Sequence, residues 1–468
     1  TFTKPGSYGR LQKAMGKGPE EKWTAEDRSA IMSLYNWVEK AYIALGGDKL
    51  RATVGDVLLL LLRLYSMEEL AKASPNELQQ KVDALWDDVL ALQNDDPVTV
   101  SEKPAEPAQT KLLERILPLH PAAPTHLKVA FIHERTPETS SWTSQHEFGR
   151  TQLDSVFEGK VETFAYFNAV PGRNADLLIE TAISNGADIV FTTSPKLVGA
   201  SLRSAVKHPT VRILNCSMEM PYASIRTYYT RVYEAKFITG AIAGAMAGTD
   251  RIGYVADYPS FGVPANINAF ALGARMVNPR ARIELRWTCL PDQEDPLTVF
   301  TRKGITVVSG RDAPVPGRPQ REFGTFLIRP GGVLQDLATP FWHWGQFYEN
   351  VVHSVLDGGW VRDKSGTDGR AVNYWWGMNS GVMDVLLSRE LPSDVAHLAR
   401  ILRTGVTAGM IDPFACRITD QNGTVRNSGR HGLDVEQIVH MDYLCDAVDG
   451  TIPEYDDLTE QARPMYRM

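Results

Sequence analysis

Four cysteines in 468 residues, Cys216, Cys289, Cys416 and Cys445, lie far apart and form no CxxC pair. That scarcity excludes a zinc ribbon or a disulfide framework and predicts small buried or half-buried thiols. No GxxxxGK[ST] loop, HExxH helix or GxSxG elbow occurs, so the usual signatures of nucleotide hydrolysis, zinc proteolysis and serine esterase chemistry are missing. The longest purely apolar run, Val57 to Leu62, is six residues, where a membrane-spanning helix needs about 20. No transmembrane segment is expected. Basic residues do not dominate: 49 Lys and Arg stand against 56 Asp and Glu, for a net charge of -7. Nucleic acid is therefore excluded as a partner. The ten histidines are scattered. His133 and His146, which flank one loop, read as solvated or hydrogen-bonded surface groups and not as an acid–base pair. Nothing in the pattern asks for a metal or a cofactor.

The length exceeds what one core can organise and predicts two to four domains. Residues 1–95 read as a small all-α domain. Thr24 with Asp27 caps a helix carrying Ile31, Leu34 and Val38, a second helix spans Val54 to Tyr65, and Ser74-Pro75 opens a third that reaches Leu92. Acidic residues outnumber basic ones over residues 1–100, so this part suits protein contacts or dimerisation better than DNA. Residues 96–125, with NDDPVTVSEKPAEPAQT leading into them and LPLHPAAPT near their end, read as a proline-rich linker interrupted by one short helix at Thr110 to Leu117.

Beyond it, apolar strands and amphipathic helices alternate. LKVAFI at Leu127 to Ile132 is a buried-strand run, and the polar loop from His133 ends in Trp142 before a helix begins. In open α/β sheets ligands sit beyond the carboxyl ends of the strands, which puts that loop, and Thr193 and Ser194 after ADIVFT, where a ligand would be met. The Trp142 indole could stack on a planar ring or close the lip of a core, and the hydroxyls could orient a ligand or cap a helix. Gly240, Gly244 and Gly248 lie four apart on one helix face, a pattern for close helix packing. RIGYVADYPSFG then starts a second unit of strand plus polar-aromatic loop, containing Tyr258. Two such units predict two lobes around a cleft.

The ordered segments KVAFIHERTPETSSWTSQHEFGR, NGADIVFTTS, TYYTRVYEAKFITGAIAG, RIGYVADYPSFGVPANINAFALGARMVNP, TPFWHWGQFYENVVHSVLDGGW, WWGMNSGVMDV and DPFACRITDQNGTVRNSG together resemble the basic membrane protein family of ABC-transporter substrate-binding proteins. That family includes purine nucleoside receptors. The resemblance implies an α/β, two-lobed fold like that of type I periplasmic binding proteins, with parallel sheets, here preceded by the all-α domain. Lobe 1 is expected over 126–249 with about 335–375, lobe 2 over 250–334 with about 376–450, and a tail over 451–468.

The resemblance further implies a binder, not an enzyme, that takes a purine base or nucleoside into the cleft for an ABC permease. Ser141 and Trp142 on the first loop, Thr193, Ser194, Tyr258, Asp312 after GITVVSGR, and Trp344 in TPFWHWG are the expected ligand residues. Trp142 precedes Gly149 at the family's spacing. Two departures are visible. Thr139 stands where relatives carry an acid, and Pro314, Pro316 and Pro319 leave little room for a helix in a shortened second lobe. The alternative is an intracellular ligand sensor with the helical domain as output. The resemblance implies an extracytoplasmic, membrane-anchored protein, while no signal peptide or lipobox is visible in the sequence, so the cytoplasm is the other expectation.

Overall fold

The computed structural model describes residues 24–44, 54–65, 67–85, 99–104, 126–218, 225–291, 293–312, 323–358, 360 and 372–466. Four helices come first: α1 (Ala25–Ala44), α2 (Val54–Leu64), α3 (Met67–Lys72) and α4 (Pro75–Ala84). Their starts follow the expected capping chemistry. Thr24 N–H donates to Asp27 Oδ2 at 2.8 Å and Asp27 N–H returns to Thr24 Oγ1 at 3.1 Å. Ser74 and Glu77 exchange the same reciprocal pair ahead of α4. The rest of the helix expected to Leu92 lies outside the described residues, as does the short helix at 110–117.

Two seven-stranded sheets follow. The elements of the first lobe are β1 (Thr99–Ser101), β2 (Leu127–Ile132), α5 (Ser141–Val156), β3 (Val161–Tyr166), α6 (Ala175–Ser184), β4 (Ile189–Thr192), α7 (Val198–Lys207), β5 (Arg212–Cys216) and β6 (Arg226–Thr230). The second lobe holds α8 (Val232–Met246), β7 (Arg251–Ala256), α9 (Val263–Val277), β8 (Arg282–Trp287), α10 (Pro296–Arg302), β9 (Val307–Ser309), β10 (Thr325–Ile328) and β11 (Leu334–Trp342). The chain then returns to the first lobe for α11 (Trp344–Leu356) and β12 (Val372–Trp376), and crosses again for β13 (Met383–Leu387), α12 (Ser393–Thr407), β14 (Arg417–Thr419), β15 (Val425–Ser428), α13 (Val435–Val439) and β16 (Val448–Asp449).

The first sheet, ordered β1-β12-β6-β5-β4-β2-β3, is parallel throughout. Strand β2 explains why. Leu127, Val129 and Phe131 enter one apolar core while Ala130 and Ile132 enter the other, so both faces are covered and the strand is hydrophobic at every position but Lys128. The second sheet, β13-β11-β10-β9-β7-β8-β16, is parallel only from β9 to β16, and β10, β11 and β13 run antiparallel. The fold is the expected two-lobed, type I periplasmic-binding-protein-like α/β arrangement, with a mixed second sheet.

Three details differ from the boundaries expected above. First, α8 lies in the second lobe and packs along α9. A Cβ on Gly240 would stand 2.0 Å from the Phe270 carbonyl oxygen and one on Gly244 2.5 Å from that of Ala274, so hydrogen at these positions is what lets the two backbones touch. Gly248 lies past the helix end and faces open space. The lobe crossings therefore fall at Arg231, His343 and Gly377, and not at 249 and 335. Second, the stretch expected to be a linker contributes β1, which pairs in parallel with β12 at the edge of the first sheet. Trp376 Nε1–H donates to Ser101 Oγ at 3.0 Å and Arg231 Nη1–H to Glu102 Oε2 at 3.0 Å, so this strand is tied to the crossing strands. Third, the N-terminal helices are not held apart. Ile31, Val38, Leu61 and Val82 share one core with Ile179 and Leu202 of α6 and α7, and Tyr65 receives Lys81 Nζ at 3.6 Å over its ring with the Arg203 guanidinium 5.8 Å away. Pro314, Pro316 and Pro319 lie outside the described residues, while α10, capped by Asp295 accepting Thr298 N–H at 2.8 Å, supplies a short helix just before them.

Candidate functional site

Strands β2 and β4 are paired with Ile132 opposite Thr192, so their outgoing loops leave the sheet side by side. Ser140 caps α5 by accepting Thr143 N–H at 3.2 Å, and Trp142 projects from its first turn. The indole Nε1–H donates to the Thr193 carbonyl at 2.7 Å, which ties the two loops together. Its ring meets His146, Trp344 and Trp342 edge-on, with centroids 4.8, 5.6 and 6.3 Å away, and lies nearly parallel to Tyr229, 6.2 Å away at 26°. Trp142 is half-buried. Most of its contacts are within its own lobe, contrary to the expectation of a ring standing free in an open slot.

Beneath the indole, polar groups are consumed by the fold. Thr193, 1% exposed, bonds His133 Nδ1 at 2.9 Å and donates to the Ile132 carbonyl at 3.2 Å, so its hydroxyl is not offered to a ligand. Ser194 donates to the Glu134 carboxylate and accepts Lys196 N–H at 3.3 Å. Trp344, 1% exposed and stacked on His146 at 4.4 Å, is core and supports Trp142 from behind, which corrects its expected contact with ligand. Neither histidine is a surface group. His133 is fully buried with Nε2 2.9 Å from Glu147, and His146 is fully buried with Nδ1 against the Tyr348 hydroxyl. Burial lowers both imidazoles from their ordinary value, His146 strongly, although Glu147 pulls His133 the other way. Ser141 is half-buried at the start of α5.

The facing wall comes from the second lobe, at the carboxyl ends of β7 and β9. Tyr258 is 40% exposed. Burial and the Asp257 charge raise its phenol, whereas Arg311 and, from the first lobe, Arg135 lower it, so the loops after β2 and β7 face one another. Asp312 reaches the same region but is already engaged by the buried ammonium of Lys236. Burial raises the Tyr229 phenol, and the nearby Asp312 of the second lobe adds to the effect.

A crevice with only about 10 Å³ of open space runs under Tyr229, with Met218, Val232, Gly262 and Asn266 among its lining residues. Met218 nearly touches Gly262 across it, since a Cβ there would lie 2.7 Å from Met218 Cε. Ligand pockets usually measure roughly 300–1,000 Å³, so the lobes are drawn together in this conformation and side chains occupy the gap. Tyr229, Met218 and Lys236 were not singled out from sequence. Tyr229 sits in a run, TYYTRVY, that reads as strand core, and Lys236 sits in a helix that is mostly apolar.

Residues 126–290 match the family described as ABC transporter substrate-binding protein, PnrA-like (Bmp). Over 342 residues the chain is 27% identical to a purine-binding protein of Brucella abortus, covering 70% of this chain and 94% of that protein. It is also 26% identical over 252 residues to a putative ABC transporter glucose-binding protein of Haloferax volcanii, covering 52% of this chain and 62% of the relative. Among solved structures, an ABC transporter solute-binding protein of Conexibacter woesei matches with a TM-score of 0.46 at 16% identity, covering 61% of this chain and 98% of that one. Among the described residues no helix is long and apolar enough to cross a membrane. Residues 126–290 thus carry a likeness to the Bmp family of ABC-transporter substrate-binding proteins, a class that captures a small molecule for transport.

Proposed function

We propose that the protein captures a purine base or nucleoside between its lobes and presents it to an ABC permease. The observation that carries this is the pair of half-buried rings, Trp142 and Tyr229, nearly parallel at the carboxyl edge of the first sheet, with Asp312 contributed from the opposite lobe. A flat heterocycle gains apolar burial and ring stacking there once the lobes part, and a ring N–H or ribose hydroxyl finds a carboxylate acceptor. Ser141 and Tyr258, both accessible at the rim, complete the contact set. The likeness to a purine-binding relative supports the same ligand class.

The glucose-binding relative favours a second reading, a hexose whose C–H face lies on Trp142. Thermal unfolding separates the two. A ligand at about 100 times its dissociation constant adds roughly 2.7 kcal/mol of stability. Adenine, guanine, adenosine, guanosine or inosine should raise the midpoint and glucose should not. A chain unmoved by all five at millimolar concentration refutes the purine reading. As for the N-terminal helices, their shared core with α6 and α7 supports a role as an added layer of the first lobe over that of a detached output domain.

A further inference from the structure

Three carboxylates near the cleft are each matched by a basic group. On the first lobe Glu134 lies 3.3 Å from Lys196 Nζ. On the second, Asp257 lies 3.3 Å from Arg311 and accepts the Thr288 hydroxyl at 2.6 Å. Asp312 is matched by Lys236, which is the unusual member because its side chain is 2% exposed while that of Asp312 is 24% exposed. The ammonium reaches Asp312 from inside the lobe, with Ser309 Oγ at 3.3 Å and the Tyr254 ring centroid at 5.0 Å as its other neighbours. It is not accessible to a ligand and acts only through Asp312. A carboxylate has about four acceptor positions, and the oxygen not engaged by Lys236, which has no partner among the described residues, can accept from the cleft side.

We propose that Lys236 is a positioning residue that sets the charge preference of the site: by compensating Asp312 from behind, it leaves a hydrogen-bond acceptor facing the ligand without an unbalanced negative charge, and so selects uncharged ligands over cationic ones. An unpaired carboxylate in a cleft shielded from water would do the reverse, because an ion–ion contact in a low-dielectric site outweighs a single neutral hydrogen bond. This rests on the reading that Asp312 faces the bound ligand.

Calorimetry on the full chain with adenosine and 1-methyladenosine, the second a cation at neutral pH, tests it. Comparing the ratio of the two dissociation constants between variants removes the steric effect of the methyl group. K236M should shift that ratio toward 1-methyladenosine by about tenfold or more, and K236M/D312N, which removes both charges, should return it to near the parent value. Should K236M not fold, D312N, which leaves the ammonium unbalanced, should shift the ratio by a similar factor the opposite way. Ratios unchanged in every folded variant overturn the proposal while leaving the purine reading intact. If the parent binds no purine but binds glucose, the purine reading fails, and the same comparison with glucose and glucosamine decides the role of Lys236. Binding of neither pair overturns both.

Discussion

Trp142 offers the sharpest test, because its N–H and its ring face serve different ends. In W142F a six-membered aromatic ring remains, while the donation to the Thr193 carbonyl at 2.7 Å and part of the indole's packing area are lost. The net cost of one such bond is about 0.5–1.5 kcal/mol, and it should appear in unfolding of the unliganded chain. Purine affinity should stay within a few-fold, since a face parallel to Tyr229 is retained. W142A removes the bond, the edge contacts with His146, Trp342 and Trp344, and the face. Fully buried Trp-to-Ala changes cost about 3–5 kcal/mol. For a half-buried ring we expect about 2–3. Stacking of a base on an aromatic side chain is worth about 1–3 kcal/mol by alanine substitution, so W142A should weaken purine binding by roughly 5- to 150-fold. Urea unfolding without ligand and titration calorimetry of the same samples keep the two effects apart. W142A binding adenosine or guanosine as tightly as the parent, while showing the stability loss, would mean that the ring is purely structural and that the ligand lies elsewhere.

The close approach of α8 and α9 predicts that G240A destabilises by about 2–3 kcal/mol in denaturant titration, because the neighbouring atom is a backbone carbonyl 2.0 Å from the new Cβ and cannot swing away. G248A, with open space around it, should stay within about 0.5 kcal/mol of the parent, and equal effects would sink the packing argument. Arg231 lies 2.9 Å from Glu234, whose carboxylate also accepts Met378 N–H at 2.7 Å at the third lobe crossing. R231M strands a buried carboxylate and should cost about 3–5 kcal/mol, read by urea unfolding; a change under about 1 kcal/mol would show the crossing does not depend on this pair. His133 and His146 are held neutral by burial. Their folded values lie below the unfolded one, so the unfolded chain takes up protons first, and stability is lost as pH falls below about 6.5, by up to about 1.4 kcal/mol per pH unit for each histidine. Urea midpoints that are flat between pH 7.5 and 5.0 would contradict their buried, neutral state.

What could be read before any coordinates follows from short-range chemistry. The run LKVAFI, apolar at every position but Lys128, reads as a strand with both faces buried, and its burial in two cores bears this out. Thr24 with Asp27, and Ser74 with Glu77, cap helices because each bond spans three residues. Gly240 and Gly244 announced a close helix contact, since a gap in one helix face is a local property, although nothing local names α9 as the partner. The ordered segments from β2 to β8 carry the likeness to the family.

The remainder was settled by contacts across long stretches of chain. Trp142 and Trp344 look alike as residues, yet one is half-buried at the cleft and the other is a fully covered support, because α11 slides beneath α5 where Gly149 and Gly345 let the helices touch. Thr193 and Ser194 lie where strand-end hydroxyls meet ligands, but His133 and Glu134 from another strand had already claimed them. Asp312 was expected as an acceptor, whereas its compensation by Lys236, 76 residues away, was not visible in the sequence. The same holds for a three-residue strand in a proline-rich stretch, which gains its hydrogen bonds only from β12, and for helices that read as a separate domain until Tyr65 is found against α7. Sequence by itself determined which segments would be regular and which faces apolar, since propensity and periodicity act over a few residues. Tertiary structure alone decided which polar groups remained free for a ligand, because a hydrogen bond or a charge is spent on whichever partner the fold brings within reach, at any separation along the chain.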